Sequence, residues 1–226
     1  MKDERSKVDN MMVLAGVVLL GSIWGLLEST IGGLKWSVGG LYISMGAVMA
    51  GTFGLMFMIF AKRTFRFTGV VVLVALVAAV LRYFAPVGTV VICSAIAIAA
   101  EGLVFELLVS RKVFLGNLTG KKDYRTLAFL GVISGFAVFT TGYITTQVLT
   151  PVFTGGTLVL MDVVRILPLI IGRSFYAALL GGISVPVIAY TDNLHLDISR
   201  YGKGIYFTAT TTASLFCWVL VLFILF

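Results

Sequence analysis

The chain has 226 residues, of which 59% are hydrophobic and only 12% are charged, and its mean hydropathy is +1.07. About a quarter of the residues of a soluble domain are charged, so this composition excludes the soluble class and indicates an integral membrane protein. The net charge of +7 requires no nucleic-acid partner, because membrane proteins concentrate Lys and Arg in their cytoplasmic loops.

Apolar runs of membrane-spanning length follow one another along the chain. A transmembrane helix needs about 20 such residues, because each residue rises about 1.5 Å through roughly 30 Å of hydrocarbon. We predict seven spans: 11–31, 41–61, 68–85, 89–109, 126–149, 172–191 and 205–226. The first run exceeds the core of a signal peptide, so we expect it to remain as a span. The predicted class is all-α, a polytopic transmembrane helical bundle of six to seven spans in a single domain, residues 1–226.

Residues 157–170 are the ambiguous part of this assignment. They are mostly apolar, but Asp162, Arg165 and Pro168 interrupt them, and Arg173 follows. We interpret them as a short interfacial or re-entrant segment that leads into the sixth span.

Charge placement predicts the orientation of the bundle. Most of the 17 Lys and Arg residues fall in the N-terminal segment and near residues 62–66, 111–125 and 200–203, which share one side of the membrane. Short cytoplasmic loops collect such residues. We therefore expect a multi-pass protein of the cell membrane with a cytoplasmic N-terminus. Four basic residues then fall on the outer side: Lys35, Arg82, Arg165 and Arg173.

Span one contains a carboxylate, Glu28, in the stretch SIWGLLESTIGGLKW. Gly21, Gly25, Glu28 and Gly32 recur at intervals of three or four residues, which places them on one helical face. Glycines there let a neighbouring helix approach closely. Glu28 therefore lies on a contact face, where it bonds a neighbouring helix, reaches the outer interface or takes part in function.

Span four contains two further acids, Glu101 and Glu106, in IAIAAEGLVFELL. Five residues separate them, so they point about 140° apart and cannot form a carboxylate pair on one face. Glu101 shares a face with Ser94 and lies deep, which favours a functional or helix-locking role. Glu106 lies near the inner end beside Arg111 and Lys112, which favours a solvated or salt-bridged role.

Polar residues gather in the outer half of the predicted bundle. An ionisable group at this depth should face the bundle interior or a watery cavity, because exposing it to lipid is costly. Trp36 lies in the loop GGLKWSVGG, which is either a lid over a ligand or an interfacial anchor. The sequence thus predicts an outer polar pocket with aromatic walls. The residues predicted to lie near this pocket are Trp24, Glu28, Trp36, Arg82, Tyr83, Gln147, Asp162, Arg165 and Arg173.

Motifs of several chemistries are missing from the sequence. His195 is the single histidine and is too isolated for a zinc site. The stretch GNLTGKKD has the wrong glycine spacing for a nucleotide phosphate loop. A Gly-x-Ser-x-Gly elbow and an HExxH helix are also absent. We expect no cofactor, no metal and no catalytic residue, and we do not expect an enzyme.

Three stretches are similar to those of a known family: GSIWGLLESTIGG in span one, GAVMAGTFGLMFMI in span two and APVGTVVICSAIAIAAEGLVFELL in span four. With its small glycine-rich bundle and basic inner loop, the chain resembles the substrate-binding S-component of an energy-coupling factor transporter. The resemblance implies capture of a vitamin or similar micronutrient, and docking onto a transmembrane coupling subunit driven by cytoplasmic ATPases. Family members have six spans with both ends inside, whereas this chain has seven predicted runs.

Site residues follow from that resemblance. It implies docking through Gly21, Gly25, Ala47 and Gly51. It implies ligand binding through Glu28, Trp36, Arg82, Gln147, Arg165 and Arg173. Three arginines would suit a carboxylate or phosphate, although Glu28 and Asp162 could neutralise two of them.

Two other classes of function remain open from the sequence. A non-transporting structural or assembly subunit of a membrane complex would explain the glycine stripes without a ligand pocket. An intramembrane enzyme would use Glu28 or Glu101 as its acid or base.

Overall fold

The computed structural model describes residues 2–31, 35–38, 41–65, 67–85, 91–110, 123–155, 160–190 and 202–224; for 2–9, 35–38, 41–44, 160–163 and 224 it describes the backbone alone. Seven helices account for most of these residues: α1 (Lys2–Ile31), α2 (Met45–Phe65), α3 (Val70–Phe84), α4 (Val91–Val109), α5 (Tyr124–Thr154), α6 (Leu160–Tyr190) and α7 (Lys203–Ile224). A small antiparallel hairpin of β1 (Lys35–Val38) and β2 (Leu41–Ser44) connects α1 to α2.

Six of the seven helices are long and apolar enough to cross a membrane, so the chain is a multi-pass membrane protein. The predicted all-α class is confirmed. Helix α2 lies against α6, α3 and α1, and the other helices pack in the order α7, α1, α3, α4, α5, α6.

Helix α3 is the seventh and shortest. Its 15 residues extend about 22 Å, which is less than the roughly 30 Å of a hydrocarbon core. Gly69, at φ 90°, precedes it, and the extended residue Ala85 ends it. One face is fully buried between α1 and α4, with Val74 and Ala78 at 0% exposure. The predicted third span, 68–85, is therefore a helix of 15 residues, shorter than the other six helices.

Helix α6 covers most of residues 157–170, for which we predict an interfacial or re-entrant segment. The backbone is one continuous helix from Leu160 to Tyr190 with Pro168 and Pro186 inside it, so residues 160–170 are helical and continuous with the predicted sixth span. Residues 157–159 lie outside the described parts of the chain. Proline is tolerated within membrane helices, because neighbouring helices and hydroxyl side chains satisfy the backbone groups that it frees.

Helices α5 and α6 approach each other closely through small residues. A β-carbon built on Gly131 would lie 2.1 Å from the carbonyl oxygen of Gly181, and one on Gly135 would lie 2.3 Å from that of Ala177. Any side chain at Gly131 or Gly135 would push the backbones apart. This is the small-residue packing expected where lipid gives no hydrophobic drive for helix association.

Helix α2 contains one stretch of π-helix, Ala50–Gly54. A π-helical turn disturbs the regular backbone ladder. Here the carbonyl oxygen of Gly51 accepts a hydrogen bond of 2.9 Å from the Ser184 hydroxyl of α6. The irregular turn is therefore stabilised by a neighbouring helix.

One end of the bundle is held by charged side chains. The buried carboxylate of Glu106 forms an ion pair with Lys62. It also accepts hydrogen bonds from the backbone amides of Gly69, at 3.0 Å, and Val71, at 3.2 Å, at the start of α3. The predicted salt-bridged role of Glu106 is confirmed with Lys62 as the partner.

Candidate functional site

A cavity of about 170 Å³ lies among the first five helices. It is situated where α1 ends, α2 begins, α3 ends and α4 begins. A water molecule occupies about 30 Å³, so the space has the volume of about six waters or one small molecule. Its lining residues are Glu28, Gly46, Arg82, Ser94, Ala97, Ile98, Glu101, Phe139, Gly142, Tyr143 and Thr146.

Three ionisable side chains from three helices meet at this cavity. Glu28 comes from α1, Arg82 from α3 and Glu101 from α4. Arg82 and Glu101 are only 7% and 8% exposed. The Arg82 guanidinium attracts the Glu28 carboxylate, and its Nε donates a hydrogen bond of 3.1 Å to the Ser94 hydroxyl. Arg82 is thus held in place by groups on two neighbouring helices.

The carboxylate of Glu101 lies against the backbone of α5. A β-carbon built on Gly142 would lie 2.1 Å from Glu101 Oε1, so glycine provides the room that this carboxylate occupies. Glu28 is a second acid close enough to act on Glu101, and the interaction of two carboxylates is repulsive. Glu101 lies near the middle of α4, about 15 Å along a helix that starts at Val91.

Helix α5 supplies an aromatic and hydroxyl wall. Phe139, Tyr143 and Thr146 follow at intervals of four and three residues, so they share one helical face. The rings of Phe139 and Tyr143 have centroids 5.7 Å apart. Behind this wall, Arg173 of α6 donates a hydrogen bond of 2.9 Å to the Tyr143 hydroxyl and lies 5.5 Å from its ring centroid.

The structure describes five of the six predicted ligand-binding side chains, and two of these line the cavity. Glu28 and Arg82 line the cavity, and Arg173 reaches it indirectly through Tyr143. Gln147 is half-buried one turn beyond Tyr143 and lies outside the cavity lining, and Arg165 is exposed on α6. The side chains of Trp36 and Asp162 are outside the described part of the structure. Of the three arginines predicted to bind a ligand, Arg82 is therefore the one that lines the cavity.

The residues predicted to dock onto a partner are packed between helices of the chain itself. A β-carbon on Gly21 would lie 2.6 Å from the Val74 carbonyl oxygen of α3, and one on Gly25 would lie 2.8 Å from that of Ala78. A β-carbon on Gly51 would lie 2.6 Å from the carbonyl oxygen of Ala177 in α6. Ala47 is 1% exposed.

Partner docking through these four residues stays a prediction. They pack helices of the same bundle, and their small size is explained by contacts within the chain.

Several lining residues were not among the predicted ligand-binding residues. Glu101 was singled out for its depth and its shared face with Ser94, and both do line the cavity. Phe139, Tyr143 and Thr146 were missed, although their spacing on one face of span five was a usable signal. Within the described residues, no group of three His, Cys, Asp or Glu side chains could hold a metal ion.

No protein-family model, curated protein or solved structure matches the chain. Its site is therefore interpreted from the chemistry of the cavity.

Proposed function

We propose that this protein is a membrane-embedded binding subunit that captures a small micronutrient for uptake into the cell. The observation that carries the proposal is the convergence of Glu28, Arg82 and Glu101 on one cavity. Ionisable groups within a membrane are costly and commonly mark substrate or ion pathways. A polar ligand that bonds to these groups would offset the cost.

Size limits the ligand. The cavity of about 170 Å³ is smaller than the roughly 300–1,000 Å³ of typical ligand pockets. A molecule with a single ring, or a short chain with polar ends, matches this volume. The proposed cargo is therefore at the small end of the micronutrient range.

Energy for uptake would come from partner subunits. The sequence carries no GxxxxGK[ST] phosphate loop, so ATP hydrolysis would belong to cytoplasmic ATPases acting through a transmembrane coupling subunit. The similarity of GSIWGLLESTIGG to S-components of energy-coupling factor transporters supports this part of the proposal. The placement of basic loops supports a cytoplasmic N-terminus, which would put the cavity in the outer half of the membrane.

Native mass spectrometry of the full chain, purified gently from its own membranes, tests the proposal. The informative variant is Gly142→Ala, whose new methyl group would displace the Glu101 carboxylate. Gly172→Ala is the matched control, because a β-carbon there would meet nothing within 4 Å. The spectra report both retained small molecules and copurifying subunits.

We expect a small molecule on the wild type and on Gly172→Ala, and its loss from Gly142→Ala. Equal retention by Gly142→Ala would place the ligand elsewhere. A wild-type protein that is empty and belongs to a stable complex without ATPases would overturn the uptake proposal in favour of an assembly subunit.

A further inference from the structure

We propose that the ligand of this cavity is a small organic cation whose charge lies beside Glu101. The inference rests on the proposed binding function and adds the chemical class of the ligand. It starts from the ionisable groups that line the cavity, which are two carboxyl groups, those of Glu28 and Glu101, and one guanidinium, that of Arg82.

The single guanidinium is already engaged. Arg82 attracts Glu28 and donates to Ser94. The ion pair that the described residues contain joins Lys62 to Glu106, one and a half turns further along α4. Glu101 is a buried acid of the cavity for which the described cations provide no ion pair. A ligand with one positive charge would stabilise its ionised form.

The wall beside Glu101 also suits a cation. Phe139 and Tyr143 flank Gly142, the residue against which the Glu101 carboxylate lies. Aromatic faces attract ammonium and guanidinium groups through their quadrupole. Tyr143 already shows this behaviour toward Arg173, whose guanidinium carbon lies 5.5 Å from the ring centroid. A carboxylate next to aromatic rings favours a protonated amine or a cationic heterocycle.

An anionic ligand fits the same cavity poorly. It would have to bind Arg82 in competition with Glu28, and it would share the cavity with a second acid, Glu101. Like charges at short distance in a low-dielectric interior repel strongly. The uncompensated acid therefore favours a cation over a carboxylate or phosphate.

Three probes of nearly equal size and different charge test this choice: benzylammonium, benzyl alcohol and benzoate. Calorimetric titration of each into the full chain in detergent at pH 7 gives three dissociation constants. Glu101→Gln removes the proposed counter-charge and keeps a similar shape. Glu106→Gln is the matched control, because it alters a buried acid of the same helix that lies outside the cavity.

We expect the wild type to bind benzylammonium about tenfold or more tightly than benzyl alcohol, as one charge interaction of ordinary strength requires. Glu101→Gln should abolish this preference, whereas Glu106→Gln should keep it. If Glu106→Gln does not fold, the exposed Asp123→Asn serves as the control.

A preference for benzoate, or a preference for benzylammonium that Glu101→Gln leaves intact, would overturn the inference. A preference for benzoate can be measured with the wild-type protein alone. Binding of none of the probes would also overturn it, while a native ligand found by mass spectrometry would still uphold the uptake proposal. The two proposals can therefore fail separately.

Discussion

Lys62 of α2 and Glu106 of α4 form an ion pair in which the two side chains are only 6% and 7% exposed. The Lys62 ammonium also donates a hydrogen bond of 3.2 Å to the carbonyl oxygen of Phe67. Because Glu106 accepts from two amides at the start of α3 as well, one carboxylate joins three helices. Its negative charge suits a helix N-terminus, where backbone N–H groups lack partners.

The first prediction concerns the stability that this pair provides. Glu106→Gln should lower the free energy of unfolding by about 3 kcal/mol, because it leaves a buried ammonium without its counter-ion. Thermal unfolding in detergent measures the loss. The double variant Lys62→Met with Glu106→Gln should recover part of it, since no unpaired charge remains. A double variant no more stable than Glu106→Gln would contradict this account.

The second prediction separates packing from partner docking at Gly25. Gly25→Leu should destabilise the isolated chain by about 1–3 kcal/mol, because its side chain would collide with the Ala78 carbonyl region of α3. Gly172→Leu, on an open helix face, should change little. Both are measured by thermal unfolding without any partner present. Unchanged stability of Gly25→Leu, with loss of a copurifying subunit, would instead support the docking role.

The third prediction concerns the end of α6. Arg63 Nη1 donates hydrogen bonds of 2.9 Å and 3.2 Å to the carbonyl oxygens of Ile188 and Ala189. Carbonyls in the last helical turn have no partners within their own helix. Arg63→Met should therefore speed amide hydrogen exchange in the last turn of α6, measured by mass spectrometry. Arg165→Met, at an exposed position of α6, should not.

The fourth prediction concerns the attachment of α7 to α1. The Tyr206 hydroxyl donates to the Met12 carbonyl oxygen at 3.1 Å, and the Trp218 indole donates to the Ser22 hydroxyl at 3.0 Å. Tyr206→Phe and Ser22→Ala should each reduce stability by about 1 kcal/mol. The two acceptors are about 15 Å apart along α1, so the effects should add.

Thermal unfolding of the single and double variants checks this, with Tyr176→Phe at an exposed position as the control. A double variant no worse than either single one would mean that α7 is held mainly by its apolar contacts.

The helices could be predicted from sequence because membrane insertion depends on the length and polarity of a local segment. Two features of the helices depend on tertiary context. Pro168 is one of the residues that interrupt the apolar stretch at 157–170, yet it lies within the continuous helix α6. Residues 68–85 form an apolar run of 18 residues, but the turn at Gly69 and the extended Ala85 limit α3 to 15 residues. Neither effect is visible in hydropathy alone.

The site was harder to predict, because residue spacing shows which side chains share a helical face but does not show which helix packs against that face. Gly21 and Gly25 have the same pattern whether they meet α3 or another protein, since close packing needs small residues in either case. Glu101 and Tyr143 are far apart in sequence and come together only through the close contact at Gly142. Arg82 and Arg165 are both predicted to lie in the outer half of the bundle. Only the packing of the helices shows that Arg82 lines the cavity and that Arg165 is exposed.

The π-helical turn of α2, whose Gly51 carbonyl accepts a hydrogen bond from Ser184, restricts the number of residues that α2 can contain. One residue corresponds to about 100° of rotation in an α-helix, so a turn with an added residue sets the angle between the two halves of α2. Gly46, before the turn, lines the cavity, and Lys62, after it, reaches Glu106. A homologue with one residue fewer in Ala50–Gly54 could not keep both positions in register. An alignment gap in this stretch would therefore mark a protein that had lost either the cavity wall or the ion pair.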